Sequence, residues 1–556
     1  MLTAILAISL LVAFSLFAIP SIRASPTNIE VNETGWWWEG QPGTFNASST
    51  PIQHAINNAS AGDTIFVHAG NYTPPSTIII NKDNLTLKGP QADVDPRPSC
   101  GSTRTPGSVA EAVTNGSAHN LGRIILIDAD NVTINGLEIK SGTGDMIRQR
   151  NTYNGTIVKY CIVHDGRGDE GIQLKQCTDG LLEYNYVYDI ASPGDALNIA
   201  DGSSNGKIRY NEAHDIGSSY AAIYVYGSTD MEIADNRVYT VPNGGGIRVM
   251  EDGGGSGALI RDNVIHDVEK SGLFVDINDV SIEGNEIHNS RNTGILIKNV
   301  VDATTVTINN NSIFNNSPCG VTNENNSLLD ATNNWWGDVS GPSGVGYGTG
   351  DAVSGNVNYD PWLDAPYPGG LPINFTDAAI ETAPAGTTEI DAKTVADTTV
   401  SINTTAPVNV TIAEYSRNPG TGFVGDIGKY IEVHLNDTTN ATNMTIKLFY
   451  TDADIVDLND NTLRMLWWNA TIGDWVACSN TGVNTTDQNG YRGYIWAIIN
   501  NTTIPSFKDL TGTPFGGMGE APPIPERVPV LTPIGMLALI CILSVVLAVA
   551  TLRKRE

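Results

Sequence analysis

Apolar residues in the middle of the chain alternate with variable ones, the rhythm of a β-strand that buries one face. One phrase carries it. Cys161-Ile162-Val163-His164-Asp165 returns as Asn185-Tyr186-Val187-Tyr188-Asp189, Asn211-Glu212-Ala213-His214-Asp215, Asn236-Arg237-Val238-Tyr239-Thr240, Asn263-Val264-Ile265-His266-Asp267, Asn285-Glu286-Ile287-His288-Asn289 and Asn311-Ser312-Ile313-Phe314-Asn315, at steps of about 22 to 27 residues. A second phrase follows each (Gly171-Ile172-Gln173-Leu174 through Gly294-Ile295-Leu296-Ile297), and a short third strand such as Val280-Ser281-Ile282 precedes the next Asn. Three strands per repeat with Gly or Asn at the corners predict one coil of a parallel β-helix, whose coils stack about 4.8 Å apart. The recurrent Asn suits a ladder, because it tolerates left-handed backbone and its amide bonds coil to coil.

The flanks extend this pattern. Thr50-Pro51-Ile52-Gln53 reads as a cap residue, Pro at the first helical position and Gln at the third, starting a short helix that plugs the open end of the stack. Ile78-Ile79-Ile80, Leu85-Thr86-Leu87, Ile124-Ile125-Leu126-Ile127 and Val132-Thr133-Ile134 supply the first coils, and Pro90 to about Gly122 reads as a surface loop between them. After Asn358-Tyr359-Asp360-Pro361-Trp362-Leu363 the repeat ends, and short strands without helices over 373–505 predict a β-sandwich. Residues 1–24 read as a secretory signal, 506–530 as a Gly/Pro-rich stalk, 531–552 as a transmembrane helix and 553–556 as a cytoplasmic basic tail, leaving 25–364 for the β-helix.

Several segments resemble a known family. Thr50 to Tyr72, with Ala61-Gly62-Asp63-Thr64-Ile65, resembles the opening of pectin-lyase-like β-helices, and the coils resemble NosD-type repeats. Asn333-Asn334-Trp335-Trp336-Gly337 with Gly341-Pro342 resembles the closing motif of archaeal surface proteins of that kind. Phe449-Tyr450-Thr451-Asp452 to Trp467-Trp468-Asn469, with Gly490-Tyr491, is similar to a sandwich module found beside them in methanogens. The tail resembles the archaeal PEF-type sorting signal, with Pro529-Val530-Leu531 where that signal has Pro-Glu-Phe. The resemblance implies an all-β fold class, a right-handed parallel β-helix (three strands per coil) followed by a small β-sandwich, on an archaeal envelope.

Charge changes the picture next. A formal net charge of -29 excludes nucleic acid, whose phosphates demand a basic face. Six cysteines are too few for a disulfide scaffold; Cys161 and Cys177 have the spacing to bridge one coil, which sequence leaves open. Glycosylation sequons are frequent, at Asn32, Asn46, Asn58, Asn71, Asn84, Asn115, Asn131, Asn154, Asn310, Asn374, Asn403, Asn409, Asn436, Asn469 and Asn484 among others. None falls between Asn154 and Asn310, which reads either as packing without room for glycans or as a face kept bare.

Candidate chemistry sits on that bare stretch. His164, His214, His266 and His288 share a column with Tyr188, Tyr239 and Phe314, which favours ring stacking over a metal ladder. The outward positions of the second phrase give a predicted binding face of Gln173, Lys175, Tyr224, Tyr226, Arg248 and Phe274, residue types that suit glycan or protein contact. The expected role is an extracellular envelope protein, structural, adhesive or glycan-binding, without catalysis or cofactor. Its partners would be envelope glycans, neighbouring surface proteins or copies of itself. The alternative is a polysaccharide lyase, hydrolase or epimerase working through Arg248, Glu251 and Asp276. Asp452-Ala453-Asp454 with Asp457, Asp460 and Cys478 reads as a solvated turn or, alternatively, as help in binding a cation such as a structural Ca2+.

Overall fold

The computed structural model describes residues 28–251, 254–510, 513–522 and 533–553; the expected signal segment and the residues 554–556 of the basic tail lie outside them. Three long parallel sheets of 15, 10 and 12 strands wind about one axis, here sheets 1, 2 and 3. Consecutive strands of each sheet come from consecutive coils, as in His164↔Tyr188↔His214 on sheet 2 and Ile172↔Leu197↔Ile223 on sheet 3. The alternate residues turn inward and form one apolar column after another, with Ile208, Ile233, Ile260, Ile282 and Ile308 all fully buried. Each such side chain contributes about 1.5–3 kcal/mol on burial.

The corners explain the polar punctuation. Asp165, Asp189, Asp215, Thr240, Asp267, Asn289 and Asn315 all have φ between 51° and 58°, a left-handed bend that Asp and Asn accept better than other side chains. The recurrent Asn of the first phrase does something else. Its backbone is not left-handed; the residue before it bends instead (Tyr184, Tyr210, Asp235, Asp262). Its side chain lies inside, where Asn211 Nδ2 donates to Leu182 O at 2.9 Å and to Asn236 Oδ1 at 3.0 Å. The same bonds repeat through Asn185, Asn236, Asn263, Asn285 and Asn311, and the ladder closes on Asn334.

At the N-terminal end a hairpin, Asn28–Asn32 with Gly35–Trp38, extends sheet 1, and the helix Pro51–Asn58 covers the core. Thr50 makes no side-chain cap. Gln53 turns to the open edge of sheet 3, accepting from Ile79 N–H at 2.7 Å and donating to Ile79 O at 3.1 Å. The segment read as a loop from Pro90 to Gly122 contains a coil strand, Ala112–Asn115, which pairs on both sides within sheet 2. The preceding residues lie as a strap across the outside of sheet 2. Ser99 Oγ donates to the buried Glu212 at 2.7 Å, Arg97 stacks over Tyr184 at 5.1 Å, and Arg104 forms a buried ion pair with Glu111 and donates to Tyr160 O.

The C-terminal unit holds antiparallel sheets of six and five strands. One central strand, Pro514–Glu520, lies between Asp426–Leu435 and Asn459–Asn469, so part of the expected stalk is a sheet strand. Tyr415, Tyr430, Leu466 and Trp475 join the β-helix core around Trp362, sealing that end. A 20-residue helix, Pro533–Leu552, follows, with its described side chains, 536–551, exposed. Among the described residues no helix is long and apolar enough to cross a membrane.

Candidate functional site

Residues two apart on a strand share a face, so the outside of sheet 3 carries two parallel columns, with a third set of residues just ahead of the strands. The middle column runs Arg148, Gln173, Asn198, Tyr224, Arg248, Phe274, Leu296. Beside it run Lys175, Ala200, Tyr226, Met250 and Asp276. On the other side, three residues before the middle column, stand Asp145, Glu170 and Asp195, just ahead of strands Ile147–Gln149, Ile172–Lys175 and Leu197–Ala200, and Ala221 and Gly245 take the same place in the next coils.

The predicted face therefore exists as a surface, with two corrections. Gln173 is 3% exposed and Ala200 is fully buried, so the lower coils present less side chain than alternation suggests. Tyr224, Tyr226, Arg248, Phe274 and Lys175 are half-buried. Arg248 is the centre: its guanidinium carbon lies 4.0 Å from the Phe274 ring centroid, 5.6 Å from Tyr220 and 5.7 Å from Tyr224. Tyr220 stacks on Tyr224 at 5.3 Å, and Tyr224 meets Tyr226 at 5.0 Å. Lys175 reaches Asp201 at 2.9 Å under the Tyr226 ring. Among the described residues three buried polar atoms here have no hydrogen-bond partner: Gln173 Oε1, Arg248 Nε and Asp276 Oδ1. Glu251 is exposed just past the end of its strand.

The acidic column escaped the sequence reading. Asp145 is 2% exposed and bound by Arg123 at 3.1 Å and Arg148 at 2.8 Å. Burial pushes its carboxyl up, but the hydrogen bond from Glu170 and these two arginines hold it below the ordinary range. Glu170 goes the other way: burial, then the shared hydrogen bond and charge of Asp145, raise it. Burial pushes Asp195 up to about 7, against hydrogen bonds from Ser218 and Asn198 and the charge of Arg248. Among the described residues the ligand atoms of Asp145, Asp169 and Glu170 lie within 4.8 Å of one another, the grouping able to hold a cation.

Elsewhere the expected sites resolve into structure. The histidine column on sheet 2 stacks as rings, His164 on Tyr188 at 4.8 Å, Tyr239 on His266 at 5.2 Å and His266 on His288 at 4.9 Å. Ring nitrogens turn to local carboxylates, His214 Nδ1 to Asp215 at 2.6 Å and His266 Nδ1 to Asp267 at 2.8 Å. In the sandwich, Asp460 and Asp452 pair with Arg492 at 2.6 and 3.5 Å, and Asp454 faces Lys429 at 3.7 Å, so these carboxylates do not converge on a calcium site. Cys161 and Cys177 are free buried thiols, and Cys478 is buried too. The fifteen sequon asparagines named above are all exposed or half-buried.

A family model described as "Right handed beta helix region" matches residues 109–238 and 199–356. Among solved structures the chain is similar to a pectate lyase, Pel9A, at 11% identity, covering 62% of this chain and 81% of that one with a TM-score of 0.39. It is also similar to a family 28 exopolygalacturonase of Yersinia enterocolitica (14%, 61% and 79%, TM-score 0.36) and to the periplasmic alginate epimerase AlgG (12%, 55% and 75%, TM-score 0.33). No curated protein sequence matches the chain.

Proposed function

We propose that this chain is an exported surface protein that binds a polysaccharide along the outside of sheet 3. One observation carries the reading: Tyr220, Tyr224, Arg248 and Phe274 form a continuous ribbon of rings around one guanidinium, running along the helix axis. Flat rings with partly exposed faces take the C–H faces of sugars, and fixed polar groups beside them set orientation. From Gln173 to Phe274 the ribbon climbs four coil steps, roughly 19 Å at 4.8 Å each, which accommodates an oligosaccharide segment. Affinity electrophoresis of the full chain through polysaccharide gels tests this. Phe274→Ala with Tyr224→Ala should weaken retention at least about tenfold with little change in melting temperature; unchanged retention would refute it.

A second reading, turnover, is favoured by the acidic column. Glu170, raised by burial, shares a hydrogen bond with Asp145, which two arginines hold low, and carboxyl groups pushed apart in acidity are what general acid and base work requires. Release of reducing or unsaturated sugar, abolished by Glu170→Gln, would establish it.

The envelope placement has its own support. The sequons are accessible, and the chain carries an apolar C-terminal stretch backed by Arg553, Lys554 and Arg555. In that helix the Ser544 and Thr551 hydroxyls bond back to Ile540 O and Leu547 O at 2.7 and 2.9 Å, so neither is left unpaired among apolar neighbours. Together with the family resemblance this supports an N-glycosylated, archaeal-type surface protein held by its C-terminus. Release by alkaline carbonate, which strips peripheral proteins, would refute the anchor.

A further inference from the structure

The charges on the binding face restrict which polysaccharide fits it, an inference that rests on the glycan-binding reading above. A polyuronate carries one carboxylate per sugar, and holding it requires cations free to meet them. On sheet 3 every cation named here but Arg248 is held by a carboxylate. Arg123 and Arg148 bind Asp145, Lys175 binds Asp201, and Lys298 binds Glu324. Arg248 is wedged between rings, and the half-buried carboxyl of Asp276 lies close enough to feel its charge, alongside those of Lys298 and Glu251. The chain's net charge of -29 adds negative potential at long range.

The polar atoms left over ask for something else. Gln173 Oε1 and Asp276 Oδ1 are buried acceptors without donors, and Arg248 Nε is a single buried donor that a hydroxyl oxygen satisfies as well as a carboxylate does. An unpaired buried acceptor is costly unless a ligand supplies a hydrogen, and sugar hydroxyls are donors. A uronate keeps its ring hydroxyls but replaces the one at C6 with a charged acceptor. We infer that the sheet 3 face is specific for an uncharged polysaccharide, whose hydroxyls reach Gln173 and Asp276 while its C–H faces lie on Tyr224 and Phe274, and that it rejects polyuronates.

The full-length protein, purified in detergent, is titrated with a linear β-glucan and a galactomannan as uncharged probes, and with polygalacturonate and alginate as charged ones. Each titration is run at low and high salt, with EDTA and with calcium. An uncharged polymer should bind at least about tenfold more tightly than either polyuronate at low salt, and the gap should narrow at high salt as repulsion is screened. Asp276→Asn should narrow the gap from both sides, weakening the uncharged polymer and strengthening polygalacturonate. Equal or tighter binding of a polyuronate, including binding that appears only with calcium, would overturn the specificity while leaving the glycan face in place. Binding of none of the four would overturn both.

Discussion

Asn236→Ala removes one rung of the internal amide ladder, and the structure fixes what is lost. The Asn236 side chain, in a residue only 2% exposed, donates to Ile208 O at 2.8 Å and to Asn263 Oδ1 at 3.0 Å. Its Oδ1 accepts from Asn211 N–H and from Asn211 Nδ2, both at 3.0 Å. After truncation Asn211 Nδ2 keeps Leu182 O and Arg209 O, and Asn263 Oδ1 keeps the Asn236 backbone N–H. The Asn211 backbone N–H keeps nothing. A buried orphan costs about 1–3 kcal/mol and each ordinary bond about 0.5–1.5 kcal/mol, so the expected loss is about 3 kcal/mol. Hydrogen exchange is the suitable assay, because stacked repeats open locally and one global stability is not defined for them. Amides of the coils at Asn211 and Asn263 should exchange on the order of a hundredfold faster, while Asn57→Ala, an exposed amide on the N-terminal helix, changes little. Acceleration below about fivefold, under 1 kcal/mol, would mean that the ladder adds shape and not stability.

Ile295→Asp, at a fully buried position of sheet 3, should unfold its coil and lose more than about 3 kcal/mol, since it places an unpaired charge among apolar columns. Lys298→Asp, on the outer face, should lose less than about 1 kcal/mol; similar denaturant midpoints for the two would mean that the inward and outward register is wrong. Glu432 lies under the seal between the two units, where burial raises its carboxyl to about 8 although Tyr415 donates to it at 2.8 Å. Between its ordinary 4.5 and about 8 the folded chain holds a proton that the unfolded chain releases, so this group makes stability fall as pH rises through that window. Glu432→Gln should therefore match the parent melting temperature near the acid end and exceed it near the alkaline end, and parallel curves would refute the assignment.

The parts of this architecture legible in the sequence are those that recur. The phrases from Cys161 to Asn315 gave strand periodicity, coil length and the stacked rings of sheet 2, because a column needs the same residue type in every coil. What happens once left no such trace. The strand Ala112–Asn115 lies inside a Gly- and Pro-rich stretch, and Pro514–Glu520 is too rich in Gly to look like the central strand it is. The acidic column was hidden differently. Asp145, Glu170 and Asp195 stand just ahead of the aligned phrases and continue as Ala221 and Gly245, so no single residue type marks the position. Ala200 shows the limit of alternation itself: it points outward by register, yet it is buried between the larger side chains of its neighbours.

The strap over sheet 2 also sets a timetable. Ser99 finds its partner in Glu212, 113 positions further along the chain. A polypeptide that emerges N-terminus first has its early coils in the open long before residue 212 appears, because segments fold as they become available. Arg97 waits for Tyr184 and Arg104 for Tyr160, so the strap closes in stages, each released by the arrival of a later coil. A chain stalled before residue 212 would be cut by protease at 97–107, and one stalled after it would not.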